Sequence, residues 1–165
     1  MNFVEYANNW VKSEVLQSRI MIVIGIVLLV GFIGILKSQN EFLKGSIIPM
    51  TLTILLLIGY GGYIAYSRPA HTEKSITLYQ KSEHEAIVKE KEKHINDNKA
   101  GKTLLKIYPI LTLISMILLL IVSKPYYKGM AIGFAILFLI TYVMDYGFVS
   151  RSDTYIQFLS KLPSN

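Results

Sequence analysis

Four long apolar runs constrain this chain more than any other feature. They cover residues 20–36, 46–66, 104–122 and 129–149. A helix needs about 17–25 apolar residues to cross a hydrocarbon core about 30 Å thick. An open strand in lipid would leave its backbone groups without partners, so each run predicts a helix. We therefore expect an all-α integral membrane protein with four transmembrane helices and the lipid bilayer as a partner.

Short linkers predict how these helices pair. Residues 37–45 separate the first two runs and residues 123–128 the last two, where Pro125 blocks helix continuation. Two tandem transmembrane hairpins follow, with a hydrophilic segment between them. The predicted organisation is an N-terminal segment (1–19), a first hairpin (20–66), a charged linker (67–103), a second hairpin (104–149) and a C-terminal tail (150–165).

The segments outside the apolar runs also look helical. Apolar residues at helical spacing in residues 2–19 predict an amphipathic helix that lies in the membrane interface, with Trp10 as its anchor. Residues 72–98 predict one charged helix with an apolar stripe too sparse to build a core. Tyr63 and Tyr146, near the ends of two runs, are further candidate interfacial anchors.

The distribution of charge predicts sidedness. Of the 17 Lys and Arg residues, 13 lie in the N-terminal segment, the central segment with Lys106, or the C-terminal tail. The positive-inside rule therefore predicts that both termini and the linker are cytoplasmic. The net charge of +6 does not indicate nucleic-acid binding, because the linker mixes eight basic residues with six acidic ones.

Composition excludes several kinds of chemistry. The chain has no cysteine, so disulfide exchange, thiolate nucleophiles and Cys-ligated metals are impossible. His71, His84 and His94 match no standard metal-site spacing, and none lies in an apolar run. We therefore expect no catalytic residues, no metal and no cofactor.

Two pairs of short motifs indicate an internal repeat. Lys44-Gly45 and Lys128-Gly129 begin the second helix of each predicted hairpin, and a Ser-Arg pair follows each helix, at Arg68 and Arg151. The interval from Lys to Ser is 23 residues in the first copy and 22 in the second. This similarity predicts a parallel duplication with its pseudo-axis along the membrane normal.

Small residues mark where helices can approach closely in lipid, since packing rather than hydrophobic force drives helix association there. Most are expected to serve packing within the four helices, and some self-association. The candidates are Gly31, Gly34, Gly59, Gly62, Gly129 and Gly133.

Asp145 is the one acidic residue inside an apolar run. An ionisable residue at such a position is by default a functional candidate. Its nearness to Lys106 and Arg151 favours a structural ion pair with one of them, and a proton- or cation-coupled role is the alternative.

The second half of the chain, from Glu83 onward, resembles uncharacterised small bacterial inner-membrane proteins with four transmembrane helices. In these, a charged helix leads into a hairpin whose last span ends in Asp, then Arg, then Tyr before a short amphipathic tail. The resemblance implies a bacterial inner membrane and a structural Asp145–Arg151 pair, and it implies no reaction. The matching residues are Asp145, Arg151, Tyr155, Phe158 and Leu159.

The scarcity of polar residues at depth favours a non-enzymatic protein that acts through helix–helix and cytoplasmic contacts. It would either self-assemble as a homo-oligomer or serve as an accessory or immunity-type subunit of a membrane system. One alternative is an oligomeric channel or membrane-permeabilising effector, lined between copies by Thr51 and Thr53 or by Thr112 and Ser115. Another is a small transporter that uses Asp145.

Overall fold

The computed structural model describes residues 2–162, which form helices joined by short connections. Four of these helices are long enough and apolar enough to cross a membrane, so the prediction of an all-α chain with four such segments is confirmed. The elements are α1 (Phe3–Leu36), α2 (Glu41–Gly45), α3 (Ile47–Leu55), a π-helical segment (Leu56–Tyr60), α4 (Gly61–Lys81), α5 (Glu83–Ile121) and α6 (Pro125–Leu159).

Each long helix combines an apolar part with a polar extension. The 39 residues of α5 would extend about 58 Å at 1.5 Å per residue, roughly twice a hydrocarbon core. The apolar parts expose their side chains, as at Val30 (68%) and Leu120 (84%), and such a surface suits contact with lipid. The start of α1, the end of α4, the start of α5 and the end of α6 meet at one end, called the polar end below.

The polar extensions are not the separate elements that the sequence predicted. Residues 3–19 form the first half of α1 and continue without a break into its apolar part. Residues 72–98 are divided at Ser82, whose extended backbone (φ −153°, ψ 99°) separates α4 from α5. Pro69 lies inside α4 and Gly101 inside α5. Packing between the extensions outweighs the weak helix propensity of these residues.

The polar end has its own apolar core. Phe3 and Trp10 from α1 pack with Ile87 from α5 and with Tyr155 and Leu159 from α6. The stripe on the central segment, expected to be too sparse for a core, contributes one part of it. Four helices that each supply a few apolar residues can bury a core that no single pair of them could.

The long helices pack in two main sets. The most extensive contacts join α5 to α6, followed by those that join α1 to α4. The two sets are held together by contacts of α2 and α3 with α6, by contacts of α4 with α5, and by a smaller contact between α1 and α6.

Two glycines form the closest approach between the halves of the chain. A Cβ atom on Gly45 would overlap the carbonyl oxygen of Tyr126, and one on Gly129 would overlap the carbonyl oxygen of Phe42. Phe42 stands three residues before Gly45, and Tyr126 stands three residues before Gly129. Reciprocal contacts of this kind are what a two-fold relation between similar units produces. The two Lys-Gly motifs therefore mark the crossing point of the halves.

The π-helical segment accounts for the unequal spacing of the repeat. It lies between Lys44 and Ser67, where the first copy is one residue longer than the second. A single-turn π segment accommodates one additional residue in an otherwise α-helical rod. Beyond it, Arg68 is at the same level as Arg151, as their shared partner shows below.

The six candidate packing glycines divide into two groups. Gly129 and Gly133 lie at close crossings, the latter against the ring of Pro49. The other four would meet nothing within 4 Å if a Cβ were added, so they do not pack within the described part of the chain. They are Gly31, Gly34, Gly59 and Gly62.

Candidate functional site

Two glutamates lie buried at the polar end. Glu14 is 1% exposed and Glu90 is 3% exposed. A buried carboxylate is costly unless it is paired and hydrogen-bonded. Each of these two is the centre of a polar cluster that joins several helices.

Glu14 on α1 is bound by two arginines from other helices. Arg151 Nε donates to Glu14 Oε1 at 2.7 Å, and Arg68 Nε lies 3.7 Å from Glu14 Oε2. Arg151 Nη2 also donates to Gln17 Oε1, while Gln17 Nε2 donates to the carbonyl of Met144 at 2.8 Å. Burial raises the pKa of Glu14, and the guanidinium of Arg151 opposes that rise.

The two arginines are the ones that end the repeated Ser-Arg motifs. The two halves of the chain therefore supply matching cations to one acid. Arg68 also lies 3.7 Å from Asp97 Oδ2, and its guanidinium stands over the indole ring of Trp10 at 5.4 Å. Trp10, predicted as an interfacial anchor, is buried within the polar end and only 5% exposed.

Glu90 on α5 receives partners from α4 and from its own helix. Its Oε2 lies 2.9 Å from His71 Nε2 and accepts from Ser75 Oγ at 2.8 Å. Its Oε1 lies 3.3 Å from His94 Nε2. Burial raises the pKa of Glu90, but the hydrogen bond with His71 and the adjacent His94 ring hold it well below its usual range.

His94 connects α5 to α6 and α1. Its Nδ1 lies 2.7 Å from Ser152 Oγ, and its ring contacts Trp10 and Tyr155 edge-on, with centroid distances of 4.8 Å to each. Burial lowers the pKa of His94, so the neutral imidazole is favoured. A second link joins α5 to α6, because Asp153 on α6 accepts from Asn98 Nδ2 at 2.8 Å and from Lys102 Nζ at 2.7 Å on α5.

Asp145 lies apart from these clusters and has a different partner from the one predicted. Tyr108 donates its hydroxyl to Asp145 Oδ2 at 2.9 Å, and no ion pair to Asp145 occurs within residues 2–162. Arg151 is six residues further along α6, which turns its side chain away from that of Asp145 and toward Glu14. Lys106 is exposed and stands two residues before Tyr108. It therefore lies on another face of α5.

A cavity of about 610 Å³ connects the polar end to Asp145. Three polar atoms of residues that line it are buried and have no hydrogen-bond partner among the described residues: Trp10 Nε1, Arg68 Nε and His94 Nε2. The 3.3 Å approach of His94 to Glu90 lacks the alignment of a hydrogen bond. Its lining includes several polar and charged side chains, those of Trp10, Tyr60, Arg68, His94, Asp97 and Asp145.

The hydroxyls within the apolar parts are satisfied locally. Each donates to the carbonyl four residues earlier on its own helix, at 2.6 to 2.9 Å. Such bonds leave little capacity for solvent or substrate. The residues are Thr51, Thr53, Thr112, Ser115 and Thr141. Within the described chain, no group of three or more His, Asp and Glu side chains could hold a metal ion.

No family model matches this chain, and no curated protein or solved structure is significantly similar to it.

The remaining predicted anchors, Tyr63 and Tyr146, are exposed on the bundle surface. Sequence reasoning assigned no role to Glu14. The repeated Ser-Arg motif was the available signal, because it placed two cations at one level with a single nearby acid on α1.

Proposed function

We propose that this chain is a non-enzymatic, multi-pass protein of a bacterial inner membrane that works by binding other membrane proteins. Its apolar helices cross the bilayer as two tandem hairpins, and the polar end with both termini lies in the cytoplasm. The resemblance of the second half to small bacterial membrane proteins supports the location. The concentration of Lys and Arg in the segments of the polar end supports the sidedness.

The observation that carries this proposal is that two pairs of glycines, called the glycine steps, do not pack against the protein's own helices. Gly31 and Gly34 on α1 are three residues apart, as are Gly59 in the π-helical segment and Gly62 in α4. An added Cβ on any of them meets nothing within 4 Å. In lipid, small residues let a second helix approach closely, and that packing drives association. Because the protein's own helices do not use these steps, they are available to a second copy or to a partner subunit.

A binding role also fits the chemistry of the interior. The deep hydroxyls bond to their own backbone, and the buried carboxylates of the polar end are held in ion pairs and hydrogen bonds. A pore through the apolar part would need polar groups there that are free to meet water or ions.

The mass of the detergent-solubilised particle tests the proposal. Light scattering on the full chain, corrected for bound detergent, should give at least two protein chains per particle. Gly34→Leu should reduce that number while unfolding temperature is kept, since the new side chain meets nothing within its own chain. Val30→Leu, on the same helix and exposed, is the matched control that should leave the mass unchanged.

A particle of one chain that captures no partner at native expression level would contradict the proposal. Equal effects of Gly34→Leu and Val30→Leu would show that the glycine step is not the contact.

Transport is the second candidate, because the cavity extends from the polar end to Asp145. In liposomes, a transporter should drive solute or proton flux that Asp145→Asn abolishes. A pore should instead release dye without any gradient, and changing Thr51 or Thr112 should alter that release. The binding proposal expects neither flux nor dye release.

A further inference from the structure

The cavity that ends at Asp145 has the size of a small-molecule site. Its volume of about 610 Å³ falls within the range of about 300–1,000 Å³ typical of ligand pockets. It also changes character along its length. Charged and polar groups surround one part, and Ile64, Leu104 and Phe148 line the part nearer the apolar helices.

The polar part supplies unpartnered hydrogen-bond donors. Trp10 Nε1 and Arg68 Nε always carry a hydrogen, and His94 Nε2 carries one when Nδ1 accepts from Ser152. Trp10 and His94 are only 5% and 1% exposed. A buried donor left without an acceptor costs about 1–3 kcal/mol. A ligand oxygen placed among these three groups would remove that cost.

The charges along the cavity are unevenly satisfied. Glu14 is paired with Arg151, and Asp97 is paired with Lys93 at 2.7 Å. Asp145 receives only a neutral hydroxyl, from Tyr108, and no cation. A simple anion would therefore meet an unpaired carboxylate. A ligand with a positive group at that end and acceptor oxygens at the other fits both ends.

We propose that this cavity binds a zwitterion whose primary ammonium contacts Asp145 and whose oxyanion contacts Trp10, Arg68 and His94. An ethanolamine phosphate group has this chemistry, either as the headgroup of a membrane lipid or as free phosphoethanolamine. The lipid source needs only that the helices cross a membrane, and neither source depends on the proposed contacts with another protein.

Native mass spectrometry of the delipidated full-length protein tests the proposal. Lipids with identical acyl chains and ethanolamine, choline or glycerol headgroups are titrated separately, and phosphoethanolamine is titrated by calorimetry. The ethanolamine lipid should bind at least about tenfold tighter than the other two, because only its primary ammonium combines a positive charge with N–H groups that can donate to Asp145. Calorimetric binding of phosphoethanolamine at micromolar concentration, without lipid preference, would assign the site to the free ligand.

Asp145→Asn should weaken the preferred ligand about tenfold. Glu85→Gln is the matched control, because Glu85 pairs with Lys89 on the exposed face of α5. If Asp145→Asn does not fold, Trp10→Phe should still weaken binding, since it removes one donor and keeps an aromatic ring. Binding that shows no headgroup preference together with no uptake of phosphoethanolamine would overturn the proposal. Binding unchanged in both variants would overturn it as well.

Discussion

Arg151 Nε donates to Glu14 Oε1 at 2.7 Å and joins two residues that are 137 positions apart in the chain. This bond ties the end of the last helix to the first half of the first one. With Arg68 on the opposite carboxylate oxygen, Glu14 connects three helices at one point. The polar end is therefore held by specific charge pairs as well as by its apolar core.

Glu14→Gln should lower the free energy of unfolding by about 3 kcal/mol, because it leaves the mostly buried guanidinium group of Arg151 without its anion. Denaturant unfolding in detergent, followed by circular dichroism, measures this loss. Glu85→Gln, which breaks only the exposed pair with Lys89, should cost less than about 1 kcal/mol. Losses of similar size in the two variants would contradict a structural role for the Glu14 cluster.

Asp145 and Tyr108 should behave as a coupled pair. In a double-mutant cycle, Asp145→Asn and Tyr108→Phe should show a coupling energy of about 2 kcal/mol, as expected for one hydrogen bond to a charged group. The same cycle with Lys106→Gln in place of Tyr108→Phe should be additive, because Lys106 is on another face of α5. Coupling of Asp145 to Lys106 instead would restore the ion pair that the sequence predicted.

Stability should decrease on acidification because of His94. Burial lowers its pKa in the folded protein below the ordinary histidine value of 6.5, so the unfolded chain binds a proton first as the pH falls. The free energy of unfolding should therefore decrease as the pH is lowered below about 6.5. Glu90, whose pKa is held low, adds a second loss only below the ordinary glutamate value of 4.5.

The loss near pH 6 should be absent in His94→Gln and retained in His84→Gln, since His84 is exposed. Thermal unfolding between pH 5 and 8, about the range in which an unperturbed histidine titrates, provides the measurement. An unchanged pH profile in His94→Gln would assign the acid sensitivity to another group.

The crossing glycines should tolerate no side chain. Gly129→Ala should cost about 2 kcal/mol or more, because its methyl group would overlap the backbone of Phe42 and force the halves apart. Gly34→Ala, which meets nothing, should leave stability unchanged or raise it slightly through better helix propensity. Thermal unfolding of the two single variants decides the matter, and equal destabilisation would contradict the close crossing.

The four candidate spans were predictable because long apolar runs with at most one charge have few alternatives in a chain of this size. The continuity of the helices was not predictable. Pro69 and the Asn-rich stretch that ends at Gly101 are local signals for helix ends, but tertiary packing overrides them. The break at Ser82 carried no comparable local signal. It separates two amphipathic extensions that each need a face of the bundle.

The polar clusters could be predicted only in part, for a different physical reason. Glu14 and Glu90 lie on polar helix faces, and a single sequence does not distinguish a solvated face from one that another helix covers. Their partners Arg68 and Arg151 belong to the repeated Ser-Arg motif, which gave the level of the cluster but not the acid that it surrounds.

The uninterrupted passage of the long helices from the polar end into the apolar part has a mechanical consequence. A rod of 39 residues such as α5 acts as a lever, since its two ends tilt together when either is moved. Displacement of Glu14 against Arg151 at one end would therefore reorient the distant loops that α2 and Pro125 form at the other. A force applied at one end of the helices would in this way reach the other end without any change of fold.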